Sequence, residues 1–460
     1  MSQTIQFIEG NTRRCLFKMA VPVLTAMFLN LAYNLVDSLW IGNLLGETAY
    51  AALTGATPVI LVLNAVAMGA TNGVSILLSQ AVGAKDTRRI DCLIATSLAV
   101  AVVFSIAVTA GIELCLRPLL SLLQTPAETF EMAYGYLSIY LLGYLTVFLY
   151  CYFTAVLRSF GNAVFQMVAM LICTALNAAL DPLFIHLFGF QGAAIATLLS
   201  QTLCLVFMLV YLARKKLFVI HLSAFSWEAV SAFFAKGVPA AFQQSIPALS
   251  TGFLTSLVSG YGVTAIAAYG IIGKLETILF YPAMALNMVL TTIVGQCAGG
   301  KRFDRARDYL NAALLYGGGL LLLLSALVVG FAGPLSQGFV SSAPAAAIVQ
   351  HSFYIVGIGY VLNTVTNCFL GAVNGMGRPM KSLFCMVLYY LVIRMPLAWL
   401  LSNVGLGLDG IWWAVLTSHI VAAGAAVFLG GICCLYRKNI ERNIRFFPLS
   451  LYNLPNKQMI

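Results

Sequence analysis

The segment Gln80-Ala81-Val82-Gly83-Ala84-Lys85 returns 216 residues later as Gln296-Cys297-Ala298-Gly299-Gly300-Lys301. The same interval, within a residue or two, relates Ala20-Val21-Pro22 to Gly237-Val238-Pro239, Ala51-Ala52 to Ala267-Ala268, Gly161 to Gly377 and Gly192 to Gly410. Two halves of nearly equal length, in register, are one unit used twice. In a membrane chain that arrangement is a common signature of a transporter.

The medium in which this unit folds follows from composition. Hydrophobic residues make up 61% of the chain and charged residues 9%, where a soluble globule carries about 25% charged residues. Spanning helices need about 20 mostly apolar residues. Twelve such runs lie near 15–40, 50–79, 91–116, 132–157, 163–186, 192–213, 229–259, 264–297, 309–332, 346–373, 380–402 and 409–436. The expected fold class is therefore all-α and integral to the membrane, six helices per half. Six is even, so both halves enter the membrane from the same side, as parallel repeats about an axis along the membrane normal. The expected units are a polar terminus 1–14, an N-lobe 15–213, a linker 214–228, a C-lobe 229–436 and a tail 437–460.

A net charge of +10 invites a nucleic-acid reading, but the distribution argues against it. With the N-terminus in the cytoplasm and alternating spans, 22 of the 25 Lys and Arg residues fall on the inner side. Arg117 alone falls in an outer loop, and Lys274 and Arg394 lie within spans. This is the positive-inside pattern. It predicts cytoplasmic termini and checks the span count, because a missed helix would invert every later loop. The first fourteen residues are polar and no small-residue cleavage site follows, so the first run reads as a retained span. Eleven cysteines, mostly in apolar runs and without a C-x-x-C, read as small buried hydrophobes.

The acids within the spans carry the chemistry. Asp37 follows Pro22, Asn30, Tyr33 and Asn34 in the first run, where a carboxylate costs about 2.5–3.5 kcal/mol at mid-membrane. Position alone also admits an acid near the outer end, wetted by the loop 42–47. In the fifth run, Asn177 and Asp181 stand four apart on one helix face, and Pro182 frees the carbonyl of Ala178. Carboxylate, amide oxygen and loosened carbonyl would suit a hard cation such as Na⁺, by the logic that governs calcium and magnesium. A desolvated carboxylate could instead carry a proton, and a purely structural pair that fixes the kink is the plain alternative.

The halves differ chemically. Leu254 stands 217 residues after Asp37, and Arg394-Met395-Pro396-Leu397 answers the Asp181 stretch without an acid. Lys274, Glu276 and Arg394 are each costly in a span unless paired or facing a cavity. Lys274 and Glu276, two apart, lie on different helix faces, and a pairing of Glu276 with Arg394 across helices is expected. Gln243, Gln244, Asn363 and Asn367 are milder intrusions that either line a C-lobe cavity or join helices. Tyr33, Tyr136, Tyr140, Phe153 and Phe280 are candidates for an aromatic cavity that takes organic cations. Neither G-x-x-x-x-G-K-[ST] nor H-E-x-x-H occurs, and His186, His351 and His419 are scattered.

The ordered set of motifs resembles the multidrug and toxic compound extrusion (MATE) transporters, over about 15–436. It comprises Pro22 with Asp37-Ser38-Leu39-Trp40-Ile41-Gly42, Gln80-x-x-Gly-Ala-Lys-Asp, Leu157-Arg158-Ser159-Phe160-Gly161-Asn162 and Asn177-x-x-x-Asp181-Pro182. The resemblance implies two six-helix lobes in a V, alternating access, and export driven by inward Na⁺ or H⁺. It assigns the coupling ion to Asp37, Asn177, Asp181 and Thr197, with Tyr136 or Tyr140 joining them, and makes Pro22 a hinge; Pro182 is a second candidate. An acidic C-lobe site found in another branch is missing here, where Gln243, Gln244, Asn363 and Asn367 stand. The expected protein is a monomeric antiporter of the inner membrane for drug-like or organic cations. It would be surrounded by lipid, would need no cofactor beyond Na⁺ or H⁺, and would be neither an enzyme nor a nucleic-acid binder. The rival is a flippase or exporter for a lipid-linked or metabolite substrate.

Overall fold

The structure, a computed structural model, describes residues 7–123, 125–215, 224–339 and 343–431. All regular structure among them is helical. The first half contributes α1 (Thr12–Leu45), α2 (Glu47–Gly83), α3 (Thr87–Leu122), α4 in two pieces (Ala127–Leu142 and Tyr144–Ser159), α5 (Val164–Phe188) and α6 (Phe190–Lys215). The second contributes α7 (Trp227–Ser259), α8 (Val263–Gly299), α9 (Phe303–Gly330), α10 (Ala343–Gly375), α11 (starting as Pro379–Val387) and α12 (Gly407–Gly430). A short helix, Ala332–Phe339, precedes α10. Each of the twelve predicted runs is helical over its described residues, 432–436 of the last run lying outside them, and together they make two six-helix lobes. The tail 437–460 and part of the linker, 216–223, lie outside the described residues.

Two runs depart from a plain span. α4 bends by 47° between its pieces. The Gly143 N–H there is shared between the carbonyls of Ile139 and Tyr140, which tightens the turn, and glycine is a weak helix former. α11 widens into a π-helix over Leu388–Arg394 before resuming as Met395–Leu401. Its Met395 N–H reaches back five residues to the Tyr390 carbonyl.

Helix packing divides the core. Tyr136, Leu137, Tyr144 and Phe148 centre the N-lobe core, and Leu254, Ile272, Tyr360 and Trp412 that of the C-lobe. α1 serves both lobes. Its later half packs on α5, with Thr174 Oγ1 donating to the Leu29 carbonyl at 3.2 Å. Its earlier half, Cys15 to Val23, joins a cluster with Val289, Leu290 and Ile293 of α8 and Tyr309 and Ala313 of α9. Pro22 sits buried in that half without interrupting the helix.

The lobes are joined where α2 and α8 end, and the junction is symmetric. Gln80 Nε2 donates to the Gly375 carbonyl at 2.8 Å, and Gln296 Nε2 donates to the Ser159 carbonyl at 2.6 Å. Both donors and both acceptors are related by the 216-residue repeat. Only glycine fits at positions 83 and 299: a Cβ on Gly83 would strike the Gln296 carbonyl, and one on Gly299 the Gln80 carbonyl. Beside this contact the Ser75 and Thr292 hydroxyls meet at 3.2 Å. Lys85 and Lys301 both take a left-handed conformation, with φ of 58° and 57°. The repeated Gln-x-x-Gly-x-Lys motif is thus a lobe-to-lobe junction.

Candidate functional site

Four helices of the N-lobe bring its polar residues together. α1 carries Tyr33 and Asp37, the first piece of α4 carries Tyr136 and Tyr140, α5 carries Asn177 and Asp181, and α6 carries Thr197. All seven are buried, Asn177 and Asp181 completely. Asn177 Nδ2 donates to Asp181 Oδ1 at 2.8 Å, the contact that four-residue spacing on a helix dictates. Asp37 is 8% exposed, so the loop 42–47 does not wet it. Asp37, Asp181 and Tyr136 lie close enough to act on one another electrostatically. The Tyr136 ring is also tilted against Phe190, centroids 5.2 Å apart.

These groups hold more oxygen than they have donors for. Tyr33 Oη, Asp37 Oδ1, Asn177 Oδ1, Asp181 Oδ2 and Thr197 Oγ1 are all buried without a hydrogen-bond partner. The Tyr33 hydroxyl points towards Thr197 and Ser200 without a bond of good geometry to either. Tyr140 is occupied elsewhere: its hydroxyl donates to Asn64 Oδ1 of α2 at 3.3 Å. Among the described residues no Lys, Arg or His pairs with either carboxylate. Two acids in a site of low dielectric without a cation are costly. Five unpartnered oxygens from carboxylate, amide and hydroxyl groups form a donor set for a hard cation or for protons. Tyr33 and Asn64 were not assigned to this shell from the sequence: Tyr33 stands four residues before Asp37 on the same face of α1, a spacing that could have placed it there, whereas Asn64 meets Tyr140 only across a helix interface.

The second polar region is a cavity of about 200 Å³ inside the C-lobe. Gln244, Glu276, Asn363, Asn367 and Arg394 line it, together with Phe280 and four further aromatic side chains of α8, α10 and α11. Gln243 and Lys274 do not. Gln243 is buried in a helix junction, where its Nε2 donates to the Pro379 carbonyl at 2.9 Å and its Oε1 accepts from Asn374 Nδ2 at 3.1 Å. Lys274 is exposed on the outer side of α8. Phe153 packs in the N-lobe core, edge-on to Tyr152 at 5.1 Å, and is not part of the C-lobe cavity.

The expected pairing of Glu276 with Arg394 does not form. Tyr360 Oη donates to Glu276 Oε1 at 2.9 Å. Arg394 Nε donates to Ser418 Oγ at 3.0 Å and its Nη2 to Tyr389 Oη at 2.9 Å. Aromatic hydroxyls therefore hold the two charges apart across the cavity. Tyr389, Ser418 and His419 carried no signal along the chain, because a π-helical turn, which shifts the register, brings Tyr389 to Arg394.

The MatE family model matches residues 22–183 and again 239–400, two stretches displaced by the interval of the internal repeat. The probable multidrug resistance protein YpnP of Bacillus subtilis (strain 168) is 27% identical over 430 residues, covering 91% of this chain and 95% of that protein. An FAD transporter of Shewanella oneidensis is 27% identical over 435 residues, covering 92% of this chain and 95% of that protein. Among solved structures, a MATE protein in complex with MaL6 superposes with a TM-score of 0.89 at 23% identity, over 97% of this chain and 100% of that one. A MOP superfamily transporter from Pyrococcus furiosus superposes with a TM-score of 0.90 at 23% identity, over 95% and 99%.

Proposed function

The chain belongs to the MatE family of multi-pass membrane transporters, and on that premise we propose that it is a cation-coupled antiporter that exports small organic compounds. The five unpartnered oxygens around Asp37, Asn177 and Asp181, with no basic residue among the described ones to neutralise the acids, carry this reading. Na⁺ or protons arriving from outside compensate the two carboxylates. Asp37 stands on α1, which spans both lobes, so neutralising it alters the packing of a helix that touches α5 at one end and α8 and α9 at the other. Pro22, in the half of α1 on the C-lobe, is the proposed point of bending, and Pro182 gives α5 similar freedom. Coupling requires only that the ion prefer one conformation over the other.

The basic loops orient the protein with both termini in the cytoplasm. The Gln80–Gln296 junction is then at the cytoplasmic end, and the structure corresponds to a state closed on that side. Efflux of a fluorescent organic cation from proteoliposomes, under a Na⁺ or a pH gradient imposed separately, tests the proposal. Transport driven by one gradient and lost in Asp37→Asn supports it; efflux indifferent to both gradients overturns it. A metabolite exporter is the second reading, favoured by the relative that transports FAD and by the buried arginine in the C-lobe cavity.

A further inference from the structure

The C-lobe cavity contains a buried cation and a carboxylate that do not meet. Arg394 is 6% exposed. Its acceptors, Ser418 Oγ and Tyr389 Oη, are neutral. His419 brings no negative charge either: its Nε2 lies 3.4 Å from Arg394 Nη2 and its Nδ1 lies 2.6 Å from Tyr389 Oη. A ring that accepts from the guanidinium at Nε2 keeps its single proton on Nδ1. The rings of Tyr389 and Tyr390, centroids 4.0 Å apart, lie against the guanidinium from one side, with centroids 4.8 and 4.6 Å from its carbon. The Nη1 edge of Arg394 has no partner among the described residues. On the other side, only Oε1 of Glu276 is engaged, by Tyr360.

This arrangement depends on the π-helical turn of α11. In an α-helix, residues five apart point roughly 140° apart. A π-helix bonds residues five apart and stacks them one above the other, and such turns recur at functional sites. Tyr389 and Arg394 are five apart and hydrogen-bonded, so the widened turn aims the guanidinium and its clamp into one cavity. Tyr269 and Phe280 from α8 and Trp412 from α12 complete the walls, Tyr269 stacked on Trp412 at 6.0 Å.

We propose that this cavity binds an aromatic zwitterion, its anionic group on the Nη1 edge of Arg394, its ammonium group towards Glu276 and its ring against Tyr269, Phe280 and Trp412. One acid and one base make the site neutral overall. A purely cationic ligand would meet Arg394 with its own sign, and a purely anionic one would meet Glu276, so each is disfavoured. A ligand with both charges compensates two buried groups at once, which removes the cost of leaving either unpaired. About 200 Å³ suits a small bicyclic ring with a short chain. Such a zwitterion would be a substrate class of the proposed exporter, and its export after binding rests on the antiporter reading.

Calorimetric titration of the full chain in detergent, with three ligands that share one naphthalene ring, tests it. Naphthylalanine carries both charges, naphthylpropionate only the carboxylate and naphthylethylamine only the ammonium. Naphthylalanine is expected to bind tightest, with loss of either group weakening binding about tenfold or more. Arg394→Gln should erase the advantage of the carboxylate, and Glu276→Gln that of the ammonium. Arg394→Lys, which keeps the charge and loses the planar fork, should fall between. Naphthylethylamine binding as tightly as naphthylalanine, no binding of any of the three, or an unchanged carboxylate preference in Arg394→Gln would each overturn the proposal. No gradient enters this assay. A protein that exports cations yet shows no zwitterion preference loses only this inference, and one that binds naphthylalanine without coupled export loses only the antiporter reading.

Discussion

The two lobes repeat one order of six helices but differ in the charges they bury. Arg394 lies 217 residues after Asn177, and Leu254 lies 217 after Asp37. Asn177 and Asp37 belong to the N-lobe oxygen cluster, whereas Arg394 and Leu254 both line the C-lobe cavity. The same two places in the repeat thus carry an amide and an acid in one lobe, and a guanidinium and an alkyl group in the other. Tyr144 and Tyr360 are a further related pair, 216 apart. The first donates to the Leu63 carbonyl and the second to Glu276. Equivalent places in the repeat therefore carry different chemistry in the two lobes. A lobe with two uncompensated acids can hold a coupling cation. A lobe with one arginine and one glutamate, kept apart, can hold something that carries both charges.

Six substitutions probe this division. Asp37→Asn should have the largest effect, abolishing gradient-driven export in proteoliposomes while the purified protein keeps its elution volume and melting temperature. Wild-type export by this mutant would remove the N-lobe from coupling. Asp181→Asn and Asn177→Ala should come next, weakening the dependence of export on the driving gradient without abolishing export. Their effect is smaller because Asp37 remains, and an unaltered ion dependence in both would move the coupling site elsewhere. At the junction, Gln80→Leu and Gln296→Leu each leave a carbonyl of the opposite lobe without its donor, at a cost of about 1–3 kcal/mol to the closed state. Spin-label distances across the junction should widen to the same extent in both mutants. Unequal widening would mean that the repeat symmetry at this end is one of shape and not of energy. Arg117→Ala should do least. Its bond to Glu131, 2.9 Å long, lies on an exposed surface, where screened pairs add little, so no change in melting temperature is expected.

Much of this was legible along the chain. Apolar runs separated by charged or glycine-rich breaks mark spans, because lipid rewards continuous hydrophobicity and that is a local property. The Asn177–Asp181 contact was readable for the same reason, since helix geometry alone puts residues four apart on one face. Less local features were missed. Gly143 lies inside an apolar run, and nothing in that run's hydropathy distinguishes a straight span from one bent by 47°. Glu276 and Arg394 were expected to pair because opposite charges in lipid usually do. The structure instead gives each its own tyrosine, a choice set by the register of α11.

Amino-acid order settled that twelve apolar runs come in two related sixes and which acids lie within the first six, because hydrophobicity and helical period belong to each segment alone. Packing settled the rest. Five oxygens from three helices of the N-lobe lie together without hydrogen-bond partners; the glycines at 83 and 299 let backbones touch so that Gln80 and Gln296 cross between lobes; a widened turn carries Arg394 to Tyr389. Each of these depends on the distance between segments remote in sequence, and that distance exists only once the helices are side by side.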